Sequence, residues 1–184
     1  EYEIHIQKAD GSEQPKQLTK NADTYKYSLQ WSPDSKKIMW SDKKMRLRYV
    51  NIESKKITEV AKSNVWEYRS YDWSPDSKWI AYAEPRQNDM SKIRIYNTQT
   101  REITDVTKGW YNSSRPEFSK DGKYLFFSSD RDFNPIYSRT EWNHAYRDME
   151  GIYFVTLNEN NPDPLRPAND SVKADIKKDN KKNV

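Results

Sequence analysis

The sequence predicts an all-β fold, an incomplete β-propeller with about three and a half four-stranded antiparallel blades. The main observation is a repeat: ten-residue segments beginning at Trp31, Trp73 and Phe118 are copies of one another, 42 and 45 residues apart. Each copy joins an aromatic residue to a turn and then to a short strand with apolar and aromatic side chains. A period of about 40–45 residues with four short strands per repeat is typical of propeller blades.

The first half of each repeat is a turn followed by a strand. The strands that follow the turns are residues 37–41, 79–83 and 124–128. Both faces of these strands carry large side chains, as expected of a sheet packed between two others, and we expect Trp31 and Trp73 to be buried between blades. In the third turn Gly122 suits a left-handed conformation, whereas Ser35 and Ser77 take its place in the other turns. Because non-glycine residues rarely have positive φ, those turns are either mildly strained or of another type.

A second pair of strands follows each first pair. Residues 47–60 align without a gap on residues 93–106, and residues 152–157 and 4–7 contain further versions of the first strand of this pair. The repeats predict a half-blade at 1–20, blades at about 21–62, 63–108 and 109–166, and a polar basic linker or tail at 167–184.

This number of blades is too small to close a ring, since propellers typically have about 4–8. The end blades are then expected to expose apolar faces, and the chain begins with Glu1 rather than Met. We expect an excised piece of a larger protein, whose remaining blades are its partners. The alternative is a half-ring that dimerises into a closed ring. Exposed faces also predict self-association or marginal stability of the isolated chain.

Charge and composition argue against several classes of partner. The net charge is +4, of which residues 166–184 contribute +3, so the predicted blades are close to neutral, whereas a nucleic-acid-binding surface would need a basic stripe there. No apolar run reaches the length of a membrane-spanning helix. The chain has no cysteine, which excludes thiolate metal sites, cysteine nucleophiles and disulfides. We expect no nucleic-acid partner and no membrane span.

The sequence contains no recognisable catalytic or cofactor motif. Of the two histidines, His5 lies in a strand and His144 in a long insertion, and no nucleophile motif accompanies either. Four glycines form no phosphate-binding loop, and no cluster of His, Asp and Glu has metal-ligand spacing. We therefore expect no catalytic residues, no cofactor and no metal.

The insertion, at about 129–151, joins the second and third strands of the third blade, and residues 140–149 could form a short helix. Long ordered loops are often functional. The candidate residues for binding a partner or peptide are Arg131, Phe133, Tyr137, Arg139, Trp142, His144, Tyr146 and Arg147. Arginines hold carboxylates, and aromatic rings supply contact area. In the alternative, structural interpretation, the rings pack the loop onto its own blade and the arginines pair with Asp130, Asp132 and Asp148.

The repeat core, an aromatic residue followed by Ser-Pro/Lys-Asp-Ser/Gly-Lys and an apolar strand, resembles the WD40-like repeats of the TolB and tricorn protease families. Residues 130–137 with 141–149, and the close at 161–167, are most similar to the propeller region of bacterial tricorn-like peptidases. In that family the propellers are non-catalytic and precede a PDZ-like domain and a serine peptidase core. Their channels are thought to admit peptides and release products.

The resemblance implies a non-catalytic propeller region of a tricorn-like serine peptidase, serving substrate access, filtering or scaffolding. Its partners are then the peptidase domains of the parent chain, and peptides. One alternative is a TolB-like periplasmic propeller that binds another protein, and another is an enzyme with its site in the propeller channel. We expect a periplasmic or exported location, with a cytoplasmic location as the alternative.

Overall fold

The computed structural model describes residues 2–132, 135–137, 144–146 and 148–167, with only the backbone for 135–137 and 144–146. All regular secondary structure in these ranges is β-strand, so this part of the chain contains no helix able to cross a membrane. A two-stranded sheet comes first, the half-blade, formed by β1 (His5–Ile6) and β2 (Lys16–Gln17).

Two four-stranded antiparallel sheets follow, with neighbouring strands consecutive in the chain. Blade 1 contains β3 (Lys26–Trp31), β4 (Lys37–Asp42), β5 (Arg46–Asn51) and β6 (Ile57–Lys62). Blade 2 contains β7 (Tyr71–Trp73), β8 (Trp79–Glu84), β9 (Lys92–Asn97) and β10 (Ile103–Asp105).

Blade 3 has three strands among the described residues. They are β11 (Ser113–Phe118), β12 (Tyr124–Asp130) and β15 (Glu150–Thr156). Between β12 and β15, β13 (Pro135–Tyr137) pairs with β14 (His144–Tyr146). This arrangement of sheets confirms the prediction of an all-β partial propeller.

The sheets pack face to face, because alternate residues of each strand point to opposite sides. In blade 2, Ile80 and Tyr82 join a buried cluster with residues of blade 1. Their neighbours Ala81 and Ala83 join a second cluster, with Leu125 of blade 3. A third cluster fills the space between blade 1 and the half-blade. The prediction that the strands carry apolar groups on both faces is confirmed.

The repeated turn has the same hydrogen bonds in all three blades. Its serine hydroxyl donates to the aspartate two residues later at 2.6 Å, in Ser32–Asp34, Ser74–Asp76 and Ser119–Asp121. The fourth residue of the turn is left-handed each time, with φ of 57° at Ser35, 59° at Ser77 and 69° at Gly122. The two serine turns are therefore of the same type as the glycine turn and hold a strained φ.

The expectation that Trp31 is buried between blades is wrong. Trp31 is 53% exposed, whereas Trp73 and Phe118, at the same position of the repeat, are 5% and 8% exposed. The cause is the preceding sheet. Trp73 packs edge-on against Tyr49 of blade 1, but Trp31 faces the two-stranded half-blade, which offers no inner strands to cover it.

The far face of blade 3 is also uncovered. In blade 3, Phe154 pairs with Phe126 across the two strands. In blade 1 the residues at the same two positions are Tyr49 and Met39, which also pair. Two residues before Phe154, Ile152 is 84% exposed, although Leu47 and Ile93 at the same repeat position are fully buried. Trp31 of blade 1 and the far face of blade 3 are therefore exposed, although a neighbouring blade covers the equivalent residues elsewhere in the chain.

The first strands of the blades lie close together at one edge of the stack. The Tyr71 hydroxyl donates to the Ser28 carbonyl at 2.8 Å. The Arg115 amide donates to the Ser70 hydroxyl at 3.0 Å, and the Phe118 amide to the Asp72 carboxylate at 2.9 Å. These contacts bring β3, β7 and β11 together, which places the axis of the propeller on their side.

The insertion begins as a continuation of the β12–β15 pair. Asp130 lies opposite Glu150, the Asp132 amide donates to the Met149 carbonyl at 3.2 Å, and Pro135 then pairs with Tyr146. The expectation of a helix within 140–149 is wrong at 144–146, which form β14. The remaining residues at 140–143 and 147 lie outside the described ranges.

Candidate functional site

A cavity of about 580 Å³ lies between blades 2 and 3, beside the root of the insertion. We call it the interblade cavity. It is lined by residues 106–111, which lead from β10 towards β11, and by Ser113, Phe127, Arg131 and Val155. Phe127 is buried and Val155 partly buried, which gives the cavity an apolar floor, while Arg131 and the 106–111 connection supply its polar groups.

Arg131 is surrounded by aromatic rings. Its guanidinium carbon lies 4.2 Å from the centre of the Tyr153 ring, 5.6 Å from that of Phe127 and 5.7 Å from that of Tyr111. Its Nε–H donates to the Ser129 hydroxyl at 3.3 Å. Ring faces attract cations within about 6 Å, so these contacts stabilise one orientation of the guanidinium.

The 106–111 connection presents polar and aromatic groups on the other side of the cavity. Trp110 is 79% exposed, and Tyr111 is also exposed. Gly109 before them has φ of 77°, and a Cβ there would overlap the guanidinium of Arg86. Glycine is therefore favoured in this turn, and its neighbours Lys108 and Trp110 line the cavity.

Hydrogen bonds between the blades fix the root of the insertion. The Asn112 side chain donates to Asp130 at 3.0 Å and accepts from the Ser91 amide at 3.0 Å. The hydroxyls of Ser113 and Ser129 lie 2.9 Å apart. Asn112 thus joins blade 2 to blade 3 beside the cavity and holds the carboxylate of Asp130.

Of the residues predicted to bind a partner, the structure describes one side chain, that of Arg131. For three others it describes the backbone: Tyr137 lies opposite His144, and Tyr146 opposite Pro135. Phe133, Arg139, Trp142 and Arg147 lie outside the described residues. Binding by this loop stays a prediction.

Lys108, Trp110 and Tyr111 were not predicted from the sequence, because they lie in a connection of ordinary length without a repeat motif. The available signal was a rare glycine followed by two aromatic residues outside any strand pattern. Metal binding has no support in the described ranges either, where no three His, Asp or Glu side chains are placed to hold an ion.

The first strands of the blades form a second candidate surface. A cavity of about 350 Å³ runs along them and is lined by Ser28, Gln30, residues 69–72 and residues 115–117. The charged residues here are of both signs: Arg69 and Arg115, with Asp72 and Glu117. Burial raises the pKa of Asp72, although the Phe118 amide hydrogen bond opposes that effect.

Each of these first strands is an edge strand with an interrupted or short edge. In β3 the register shifts between Tyr27 and Gln30, around Ser28 with φ of 49°. In β11 it shifts between Ser114 and Glu117, and Pro116 has no N–H to donate. In β7 the strand has only three residues. Bulges, prolines and short length are the devices that keep edge strands from pairing with other chains.

Comparison with known proteins gives a consistent result. The family profile described as the tricorn protease second beta propeller domain matches residues 1–184. The tricorn protease homolog 1 of Streptomyces coelicolor is 28% identical over 136 residues, which is 74% of this chain and 13% of that protein. The tricorn protease homolog of Saccharolobus solfataricus is 29% identical over 77% of this chain and 14% of its own length. The chain thus spans a small part of these relatives.

Solved structures show the same fold. A crystal structure of the tricorn protease matches 82% of this chain and 15% of its own, with a TM-score of 0.75 and 20% identity. TolB from Acinetobacter baumannii matches 78% of this chain and 37% of its own, with a TM-score of 0.55 and 20% identity. At these identities the likeness concerns the fold alone.

Proposed function

Because this chain belongs to the family of tricorn protease second β-propeller domains, we propose that it serves a parent peptidase as a non-catalytic module that admits and filters peptides. The relatives are named as tricorn proteases, and the parent is by this proposal a serine peptidase of that kind. The remaining blades and the peptidase domains are then the partners of this chain.

The observation that carries the proposal is that the first strand of each blade has an interrupted or short edge. A path along the propeller axis is lined by the edges of β3, β7 and β11, and an open strand edge would capture an extended peptide by β-pairing. All three edges are interrupted or short. Such a surface lets a peptide pass without adding it to a sheet, and its mixed charges do not select one sign of peptide.

The test uses the parent peptidase with Arg69→Trp, which places a large ring at an exposed position of the inner surface. We expect slower hydrolysis of long peptides and an unchanged rate with a short chromogenic substrate, because only long chains require the path. Thr104→Trp, on the exposed outer strand β10, is the matched control. Equal slowing of both substrates, or no slowing of either, contradicts a role in access.

The chain by itself is expected to show no hydrolysis of unfolded peptides. Turnover that is lost in His144→Ala would instead establish an active site within this chain. An unchanged peptidase accompanied by capture of a folded protein on the inner surface would favour the TolB-like alternative.

A further inference from the structure

The interblade cavity is chemically unlike the inner surface of the blades. Its lining residues include two cations, Lys108 and Arg131, and no carboxylate. Two acidic residues close to the lining residues in the chain already have partners: Asp130 accepts from Asn112 at 3.0 Å, and Asp105 pairs with Arg94 at 2.6 Å and with Lys92 at 2.9 Å. Asp132, which follows Arg131, is exposed and does not line the cavity. The local charge therefore favours an anion.

The guanidinium of Arg131 is a suitable partner for a carboxylate. The aromatic rings stack on the guanidinium, and its N–H donors lie in the plane of the group, where they match the two oxygens of a carboxylate. Because the rings and Ser129 hold the side chain, less conformational entropy is lost when a ligand binds.

An apolar group next to that carboxylate could contact the aromatic side chains that line the cavity. Trp110 stands at the rim with 79% of its surface exposed, and the buried ring of Phe127 lies below. Exposed tryptophan beside arginine is the composition of binding hot spots. A volume of about 580 Å³ is within the usual range for small-ligand sites.

We propose that the interblade cavity binds a short peptide segment, holding a carboxylate on Arg131 and Lys108 and an adjacent apolar or aromatic side chain against Trp110. This site is separate from the inner surface and does not depend on passage of peptides along it. The carboxylate is either an acidic side chain or the C-terminus of the segment, and both have the same chemistry at Arg131.

In the experiment the chain is titrated with three acetylated peptides of equal length, and isothermal titration calorimetry at low salt measures their binding. The first is amidated and carries Glu-Phe at its centre, the second is amidated and carries Gln-Phe, and the third ends in Gln-Phe with a free C-terminus. We expect the second peptide to bind at least about tenfold more weakly than the better of the other two. The first and third peptides identify the source of the carboxylate.

Arg131→Gln and Trp110→Ala are each expected to lower the affinity for the tighter-binding peptide by about tenfold. Added salt should lower that affinity further. Arg115→Gln and Trp66→Ala are the matched controls, because both side chains are exposed and lie outside the cavity. Thermal unfolding of every variant shows that the fold is kept. Equal binding of the Glu and Gln peptides, unchanged binding in both cavity variants, or no binding of any peptide at millimolar concentration overturns the proposal.

Discussion

At the residue scale, the repeat offers the same position in three environments. Trp31, Trp73 and Phe118 have equivalent places in their blades, yet only the last two are buried. The sequence predicts the position and its strand, because the pattern of aromatic residue, turn and strand is local. The sequence does not predict whether the residue is buried, because burial depends on the neighbouring sheet that packs against it.

This difference predicts unequal effects of truncation. Trp73→Ala should lower the free energy of unfolding by about 3–5 kcal/mol, as expected when a large aromatic side chain is removed from a packed core. Trp31→Ala should cost about 1 kcal/mol or less in this chain, because half of the ring already contacts water. Urea unfolding of both variants measures the two values, and equal losses would contradict the packing described here.

At the element scale, the repeated turn links neighbouring blades as well as neighbouring strands. Ser77 accepts a hydrogen bond from the Asp34 amide of blade 1 at 3.0 Å and is buried, whereas Ser35 is exposed. The sequence shows that serine replaces glycine at both positions, but the partner of Ser77 lies 43 residues away. Local chemistry predicts the turn and cannot predict that contact.

Glycine substitutions separate these two roles. In Ser35→Gly the relief of a left-handed serine is offset by the greater freedom of glycine in the unfolded chain, so stability should change by less than about 1 kcal/mol. In Ser77→Gly the backbone contributes the same two effects to stability, but the hydrogen bond between blades is also lost. Ser77→Gly should therefore be less stable than Ser35→Gly by about 1 kcal/mol. Chemical unfolding of the pair is the measurement, and a Ser77→Gly variant as stable as Ser35→Gly would rule out the linking role.

The insertion shows the limit of prediction for a whole element. Its length and composition mark it as unusual, but a short charged segment has no periodicity that separates helix from strand. The structure places β14 opposite β13 because the β12–β15 ladder continues beyond Asp130. Arg131 was identified from its loop, whereas its aromatic partners Tyr111 and Tyr153 come from two other parts of the chain.

At the scale of the whole molecule, the stack of sheets has two uncovered ends. Trp31 and Leu29 are exposed on the first strand of blade 1, and Phe126 and Ile152 on the far face of blade 3. Trp73, Met39 and Leu47, which are the equivalents of Trp31, Phe126 and Ile152, are covered by a neighbouring sheet. The repeat spacing predicts this architecture, because each blade is one unit that buries its faces only against its neighbours.

The most direct test is the solution mass of this chain by light scattering over a concentration series, for the wild type and for Ile152→Lys. Uncovered blade faces predict a mass that exceeds that of one chain and rises with concentration, and a charge at position 152 should return it towards one chain. Leu165→Lys, an exposed apolar residue beyond the last strand, should have no such effect. A wild-type mass of one chain at every concentration, unchanged in Ile152→Lys, would contradict the account of two open faces.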